Sequence, residues 1–185
     1  IPSGDLLILA GDVFSPWMTN LGPAAVFFEQ VSEKFKQVVY VAGNHEHYQG
    51  FFTDTHTEIE KFLSPFDNIH LLNGEAIDYE GFSLFGGTLW TDARGRHPEV
   101  MWDMTQGMND YDIVHFSQDA NGYYGSRPVK LRPDDTVNEN HYHRQLLRSF
   151  LERCAERQVK PVIVTHHAPS WECVEPEYRL DNLSY

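Results

Sequence analysis

Residues Val38 to His47 read VVYVAGNHEH, and this stretch limits the fold more tightly than any other. A β-branched and aromatic run stops at Gly43, and Asn44, His45, Glu46 and His47 follow at once. Such a run, bounded by a glycine turn, suits a strand buried on both faces of a parallel sheet. In open α/β sheets ligands bind beyond the carboxyl ends of the strands, where this polar cluster falls. Leu6–Ala10 runs into Gly11-Asp12 in the same way, and Pro161–Val164 runs into Thr165-His166-His167. Three buried-strand candidates each deliver Asp, Asn or His at the same end, which points to one shared site.

The stretches between these strands complete an α/β pattern. Pro23 suits the first turn of a helix. Ala24, Phe28, Val31 and Phe35 recur at helical spacing, so the run from Leu6 to Ala42 reads as a right-handed βαβ unit. Thr55-x-x-Glu58 predicts a capping box for a second helix with Ile59, Phe62 and Leu63 inward, ending near Ser64-Pro65. Asn73-Gly74 predicts a hairpin between strands at Ile69–Leu72 and Ala76–Tyr79, followed by a further strand at Phe82–Phe85. From Thr91 to Arg132 the sequence lacks a sustained period. One short helix over 98–106 is expected within an irregular, lid-like insertion. A long helix from Asp134 or Thr136 to about Arg157 carries Leu147, Phe150, Leu151 and Cys154 as its apolar stripe, with Thr136-x-x-Glu139 as its cap. His70, His97, His115, His141 and His143 read as surface or helix-face histidines.

Composition narrows the function classes. The 185 residues suit one domain with a sizeable core. Fourteen basic against 27 acidic residues give a formal charge of −13, which argues against non-specific binding to a nucleic-acid backbone. A phosphate ester stays admissible as substrate, because bound cations reverse the field inside a pocket. No apolar run approaches the ~20 residues of a membrane-spanning helix. Cys154 and Cys173 form neither a thiolate metal site nor a disulfide framework, which fits a reducing, cytoplasmic setting. The oligomeric state is not encoded in any feature of the sequence.

Asp12, Asn44 and His166 are hard or borderline oxygen and nitrogen donors, a set suited to Mn²⁺, Fe, Zn²⁺ or Mg²⁺. Two such cations about 3.5–4 Å apart deprotonate a bridging water near neutral pH, and the resulting hydroxide can attack an ester in line. His45, beside Asn44, is placed to protonate the leaving group or stabilise its charge. Against these readings stand plainer ones: an Asp in a turn, an Asn helix cap and a hydrogen-bonded histidine.

Gly11-Asp12, then Gly43-Asn44-His45-Glu46, then Thr165-His166-His167-Ala168-Pro169 resemble, in order and spacing, the calcineurin-like metallophosphoesterases. The stretches Gly87–Thr91 and Gly107–Asp110 resemble a bacterial or phage branch of that family. The resemblance implies a layered β-sandwich flanked by helices and hydrolysis of phosphate mono- or diesters by a metal-bridging hydroxide. It implies Asp12 as the bridging ligand of two divalent metal ions, Asn44 and His166 as ligands of the second, and His45 as the catalytic acid. Glu46 and His167 fit a supporting shell or pocket wall. Arg94 offers the planar fork that suits phosphate, against the plainer reading of a solvated loop arginine. Trp90, Trp102, Tyr123 and Tyr124 either stack on an organic leaving group or pack beneath the lid.

Two motifs of that family are missing. Eleven residues precede Asp12, too few for an upstream Asp-x-His strand, and no Gly-His-x-His occurs. Asp54-Thr55-His56 matches Asp-x-His by letter but follows the Asn-His-Glu motif, so it reads as chance. The chain is therefore expected to be the central portion of a longer protein, incomplete at both ends and weakly active or inactive alone. Two rival functions remain: a nucleotide or cyclic-nucleotide phosphodiesterase, and a non-catalytic module that kept the fold.

Overall fold

The computed structural model describes residues 1–117, 129–179 and 181. Tyr123 and Tyr124 lie outside them. Strand β1 (Gly4–Ala10) leads through helix α1 (Gly22–Lys34) to β2 (Phe35–Val41), and α2 (Thr55–Leu63) leads on to β3 (Ile69–Leu71). These strands form a parallel sheet in the order β1-β2-β3. A second sheet holds β4 (Ala76–Tyr79), β5 (Phe82–Gly87) and β6 (Lys160–Thr165), with β4 antiparallel and β6 parallel to β5. The long helix α6 (Pro133–Arg157) enters β6.

Alternation along β2 explains the layering. Val38, Tyr40 and Ala42 face Phe28 and Val31 of α1 and Ile59 and Leu63 of α2. Val39 and Val41 face Leu84 and Val164 of the second sheet. Successive side chains of a strand point to opposite faces, so one apolar run serves both cores. On the far side, Phe85 packs against Phe150 and Cys154 of α6. The result is helices, sheet, sheet, helix: an α/β sandwich flanked by helices.

Several expectations are corrected. Only β2 of the three strand candidates is buried on both faces. Strands β1 and β6 each pair on one side, and their Ile8 and Ile163 are 40% and 42% exposed. The Asn73-Gly74 hairpin does not form, because β3 joins the first sheet and β4 the second. The hairpin lies one strand later. Tyr79 pairs with Phe82 across Glu80-Gly81, both left-handed at φ 46° and 83°, as a two-residue hairpin turn demands. Neither capping box forms as expected. Thr55 Oγ1 instead donates to Phe51 O and accepts from Trp17 Nε1. Helix α6 begins earlier, with Asp135 accepting from the Arg132 N–H. In α6, Leu151 is 38% exposed whereas His143 is fully buried.

Within Thr91–Arg132, the described residues 91–117 are more regular than the sequence suggests. They carry the single turn α3 (Ala93–Arg96), then α4 (Pro98–Gly107) and the single turn α5 (Asp110–Ile113). The α3 turn is left-handed, with φ between 49° and 66° at all four residues, a conformation costing L-residues roughly 1–2 kcal/mol each. Val100, Met104, Tyr111 and Val114 pack with Leu131 and Val137 into a separate small core, where exposed Trp102 takes no part. The apolar positions are too widely spaced along the chain to show a period, which is why no core was visible in the sequence.

Candidate metal centre and its supporting residues

The exits of β1, β2 and β6 meet at one rim. Register pairs Ala10 with Val41 and Gly87 with Thr165, so residues 11–12, 43–45 and 166–167 emerge side by side. Gly11 and Asp12 are both left-handed, at φ 92° and 57°, and this turns the Asp12 carboxylate back over the strand ends. Asp12 Oδ1 accepts from the His45 N–H at 3.1 Å and lies 3.5 Å from His166 Nε2. Asn44 Oδ1 lies 3.1 Å from that same nitrogen. Gly43 permits the approach: a Cβ there would meet Asp12 Oδ1, and would lie 2.8 Å from both Asp12 N and His166 Cε1.

Hydrogen bonds fix which atoms face each other. His166 Nδ1 lies 2.8 Å from the carbonyl of Ala10, an acceptor only, so that nitrogen carries the proton and donates. In the tautomer with one ring proton, Nε2 presents a lone pair. Asn44 Nδ2 donates at 2.8 Å to Asp110 Oδ1, which also can only accept, so the amide oxygen must be the atom facing His166. Asp12 Oδ1 and Asn44 Oδ1, both acceptors, thus converge on His166 Nε2 at 3.5 and 3.1 Å, and with that nitrogen unprotonated the three are electron-pair donors. A cation satisfies such a set, and an imidazole whose other nitrogen donates to a carbonyl is the usual form of a metal-ligating histidine. Among the described residues no three His, Cys, Asp or Glu side chains form a metal-binding group by themselves. Here an asparagine supplies one donor.

His45 sits at the mouth of this rim. Its side chain is 58% exposed, with Nδ1 3.7 Å from Asp12 Oδ2. The Tyr48 ring lies against it at 4.3 Å. Burial, then the Asp110 and Asp12 charges, push the Tyr48 phenol up to about 12.

Glu46 belongs to the scaffold beneath. It is fully buried and accepts from the backbone N–H groups of Asp12, Val13 and Gly43 and from Tyr40 Oη, at 2.6–3.0 Å. One carboxylate therefore ties the β1 exit to the β2 exit. The His167 ring meets the His166 ring edge-on at 4.9 Å. It stacks on Trp90 at 5.1 Å and donates through Nδ1 to Thr88 O. Burial, then the neighbouring His166, lower its pKa to about 4. His167 and Arg94 line a cleft of about 1000 Å³ beside the rim, together with Asp92, Arg144 and Trp171. Asp110 is the residue that motif reading passed over as a site member. It is 66 positions from Asn44 in sequence and sits in the stretch expected to be irregular.

Strand-end carboxylate, amide and imidazole side chains thus meet at one rim of a helix-flanked double sheet. Residues 1–183 match the family model described as calcineurin-like phosphoesterase. The chain belongs to that family, which acts on phosphate esters and generally binds divalent metals. It is also similar to the uncharacterized protein L509 of Acanthamoeba polyphaga mimivirus, at 26% identity over 172 residues. That match covers 88% of this chain and 55% of the viral protein, so the chain spans about half the length of the relative it matches. No helix among the described residues is long and apolar enough to cross a membrane.

Proposed function

We propose that these residues form the strand-end part of a site that hydrolyses a small-molecule phosphate mono- or diester with divalent cations. The observation that supports this most directly is the convergence of Asp12 Oδ1 and Asn44 Oδ1 on His166 Nε2, at 3.5 and 3.1 Å. Those atoms would hold one cation, of Mn, Fe, Zn or Mg, and Asp12 Oδ2 would be left to share with a second. A bound cation supplies Lewis acidity toward the ester and activates a water as nucleophile.

The remaining chemistry falls to the chain itself. His45, exposed at the rim, donates a proton to the departing oxygen and keeps its orientation through the Tyr48 ring. Glu46 holds the Asp12 turn so that its carboxylate does not swing when charge develops nearby. The cleft beside His167 receives the organic part of the ester, with the Arg94 guanidinium in its wall.

Calorimetric titration with Mn²⁺ tests the reading, followed by assays on p-nitrophenyl phosphate and its bis-ester. Asp12→Asn is expected to weaken Mn²⁺ binding by about tenfold or more. His45→Ala is expected to keep Mn²⁺ binding and lose turnover by about 10²–10⁴-fold. Equal Mn²⁺ binding by the wild type and Asp12→Asn would mean that Asp12 is not a ligand and that this rim is not the cation site. Relative turnover of the two esters separates a phosphatase from a diesterase.

A further inference from the structure

Asp110 brings a charge to the rim from outside the strand-end motifs. It stands in the first turn of α5, is 2% exposed, and reaches Asn44 Nδ2 at 2.8 Å. Tyr48 Oη makes longer contacts of 3.5 Å to Asp110 Oδ2 and 3.4 Å to Asn44 Nδ2. Building on the cation site above, we propose that Asp110 is a positioning residue for it. Its carboxylate fixes the Asn44 amide with the oxygen toward the cation, and its charge balances that of the cation.

Two physical arguments carry this. The first concerns orientation. A carboxamide beside a cation binds through oxygen and is repelled through its NH₂ end, and nothing intrinsic to Asn44 selects between them. A carboxylate, which can only accept, selects the right one by demanding the NH₂ for itself. The second concerns charge. Among the described residues Asp110 meets two neutral donors and no Lys or Arg, although burying an unpaired carboxylate is expensive. A divalent cation held by Asn44 lies one side chain away and offsets that charge at short range. Partners that orient a metal ligand in this way typically change affinity by about 10–100-fold when removed.

The test uses Mn²⁺ affinity by calorimetry, the visible spectrum of the Co²⁺-loaded protein, and melting of the metal-free protein. Asp110→Ala is expected to bind Mn²⁺ about 10–100-fold more weakly and to shift the Co²⁺ bands, because the Asn44 oxygen is no longer presented. Asp110→Asn keeps the shape but can offer either an oxygen or an NH₂ to Asn44, and removes the charge. It is expected to lose affinity severalfold, and it carries the test if the alanine variant fails to fold. Tyr48→Phe is expected to lose less than either. A folded Asp110→Ala or Asp110→Asn protein with wild-type Mn²⁺ affinity and an unshifted Co²⁺ spectrum overturns the proposal. Failure of Asp12→Asn to weaken Mn²⁺ binding would instead remove the cation site on which it rests.

Discussion

Two groups of histidines lie on either side of Trp90, and they differ in what their ring nitrogens meet. At the rim, the His45 and His166 side chains are 58% and 18% exposed, and both approach the Asp12 carboxylate. Inside, His47 and His143 are 1% and 0% exposed. The His47 ring packs against Phe52 at 5.0 Å, His56 at 5.7 Å and Trp90 at 5.8 Å. Burial lowers His56 and His143 to about 4 and takes His47 well below its ordinary value. His167 stands at the boundary, with its ring on Trp90 and its chain neighbour His166 at the rim. The same imidazole is thus a candidate ligand where acceptors converge on it and a neutral packing unit where aromatics enclose it. Residue type alone assigns neither role.

The largest effect is expected where rim and core are joined. Glu46 satisfies three backbone N–H groups and the Tyr40 hydroxyl; the Gly43 and Tyr40 bonds are buried, the Asp12 and Val13 bonds part-buried. Glu46→Ala leaves the two buried donors, Gly43 N–H and Tyr40 Oη, without partners, at roughly 1–3 kcal/mol for each, so a loss of about 4 kcal/mol is expected in urea unfolding. The Asp12 turn should loosen with it, and Mn²⁺ affinity should fall in whatever protein remains folded. If Glu46→Ala unfolds at the wild-type midpoint, the two strand exits are held by something other than this carboxylate.

Acid sharpens the contrast next. His143 titrates near 4 when folded and near 6.5 when unfolded, with burial as the main cause. Between those values the unfolded chain binds more protons, so stability falls as pH drops from about 6.5 through 4 and levels off below. A shift of this size corresponds to on the order of 3 kcal/mol. Leu89 N–H donates to His143 Nδ1, and Nε2–H faces Asn73 Oδ1 at 3.0 Å and Glu139 Oε1 at 3.4 Å, so a proton gained near pH 4 enters at Nδ1 and displaces the Leu89 bond. His143→Gln should therefore flatten the stability profile between pH 6.5 and 4, whatever its effect at neutral pH. An unflattened profile would assign the acid sensitivity to other groups.

What could be read from the sequence follows the same division. Asp12, Asn44, His45 and His166 were legible because each sits directly after an apolar run, and strand ends in parallel sheets lie together whatever separates them in sequence. Glu46 was legible as a supporting residue but not as the tie between two exits, since its partners lie 33 and 34 positions away. Asn73-Gly74 misled because a turn dipeptide says that the chain bends and not which sheet it bends into. His143 looked like a helix-face residue because α6 mixes polar and apolar positions along its length. Its burial depends on Asn73 and Leu89, which reach it from other parts of the chain. Asp110 was noticed only within the family-like stretch Gly107–Asp110 and not as a site member, because its meaning comes from Asn44, 66 positions away.

The smallest expected effect tests the inner group most directly. Both ring nitrogens of His47 are buried without a hydrogen-bond partner among the described residues. A buried polar atom with no partner costs about 1–3 kcal/mol relative to one that is satisfied. His47→Phe removes both such atoms, keeps an aromatic face toward Phe52 and Trp90, and adds a little volume whose strain offsets part of the gain. The net expectation is stabilisation by about 1 kcal/mol at neutral pH, with Mn²⁺ affinity unchanged, because His47 lies behind Trp90 and not at the rim. A loss of stability on that substitution would mean that His47 has partners after all, an ordered water being the simplest. The inner histidines would then be a polar network, and the division between rim and core would move inward by one residue.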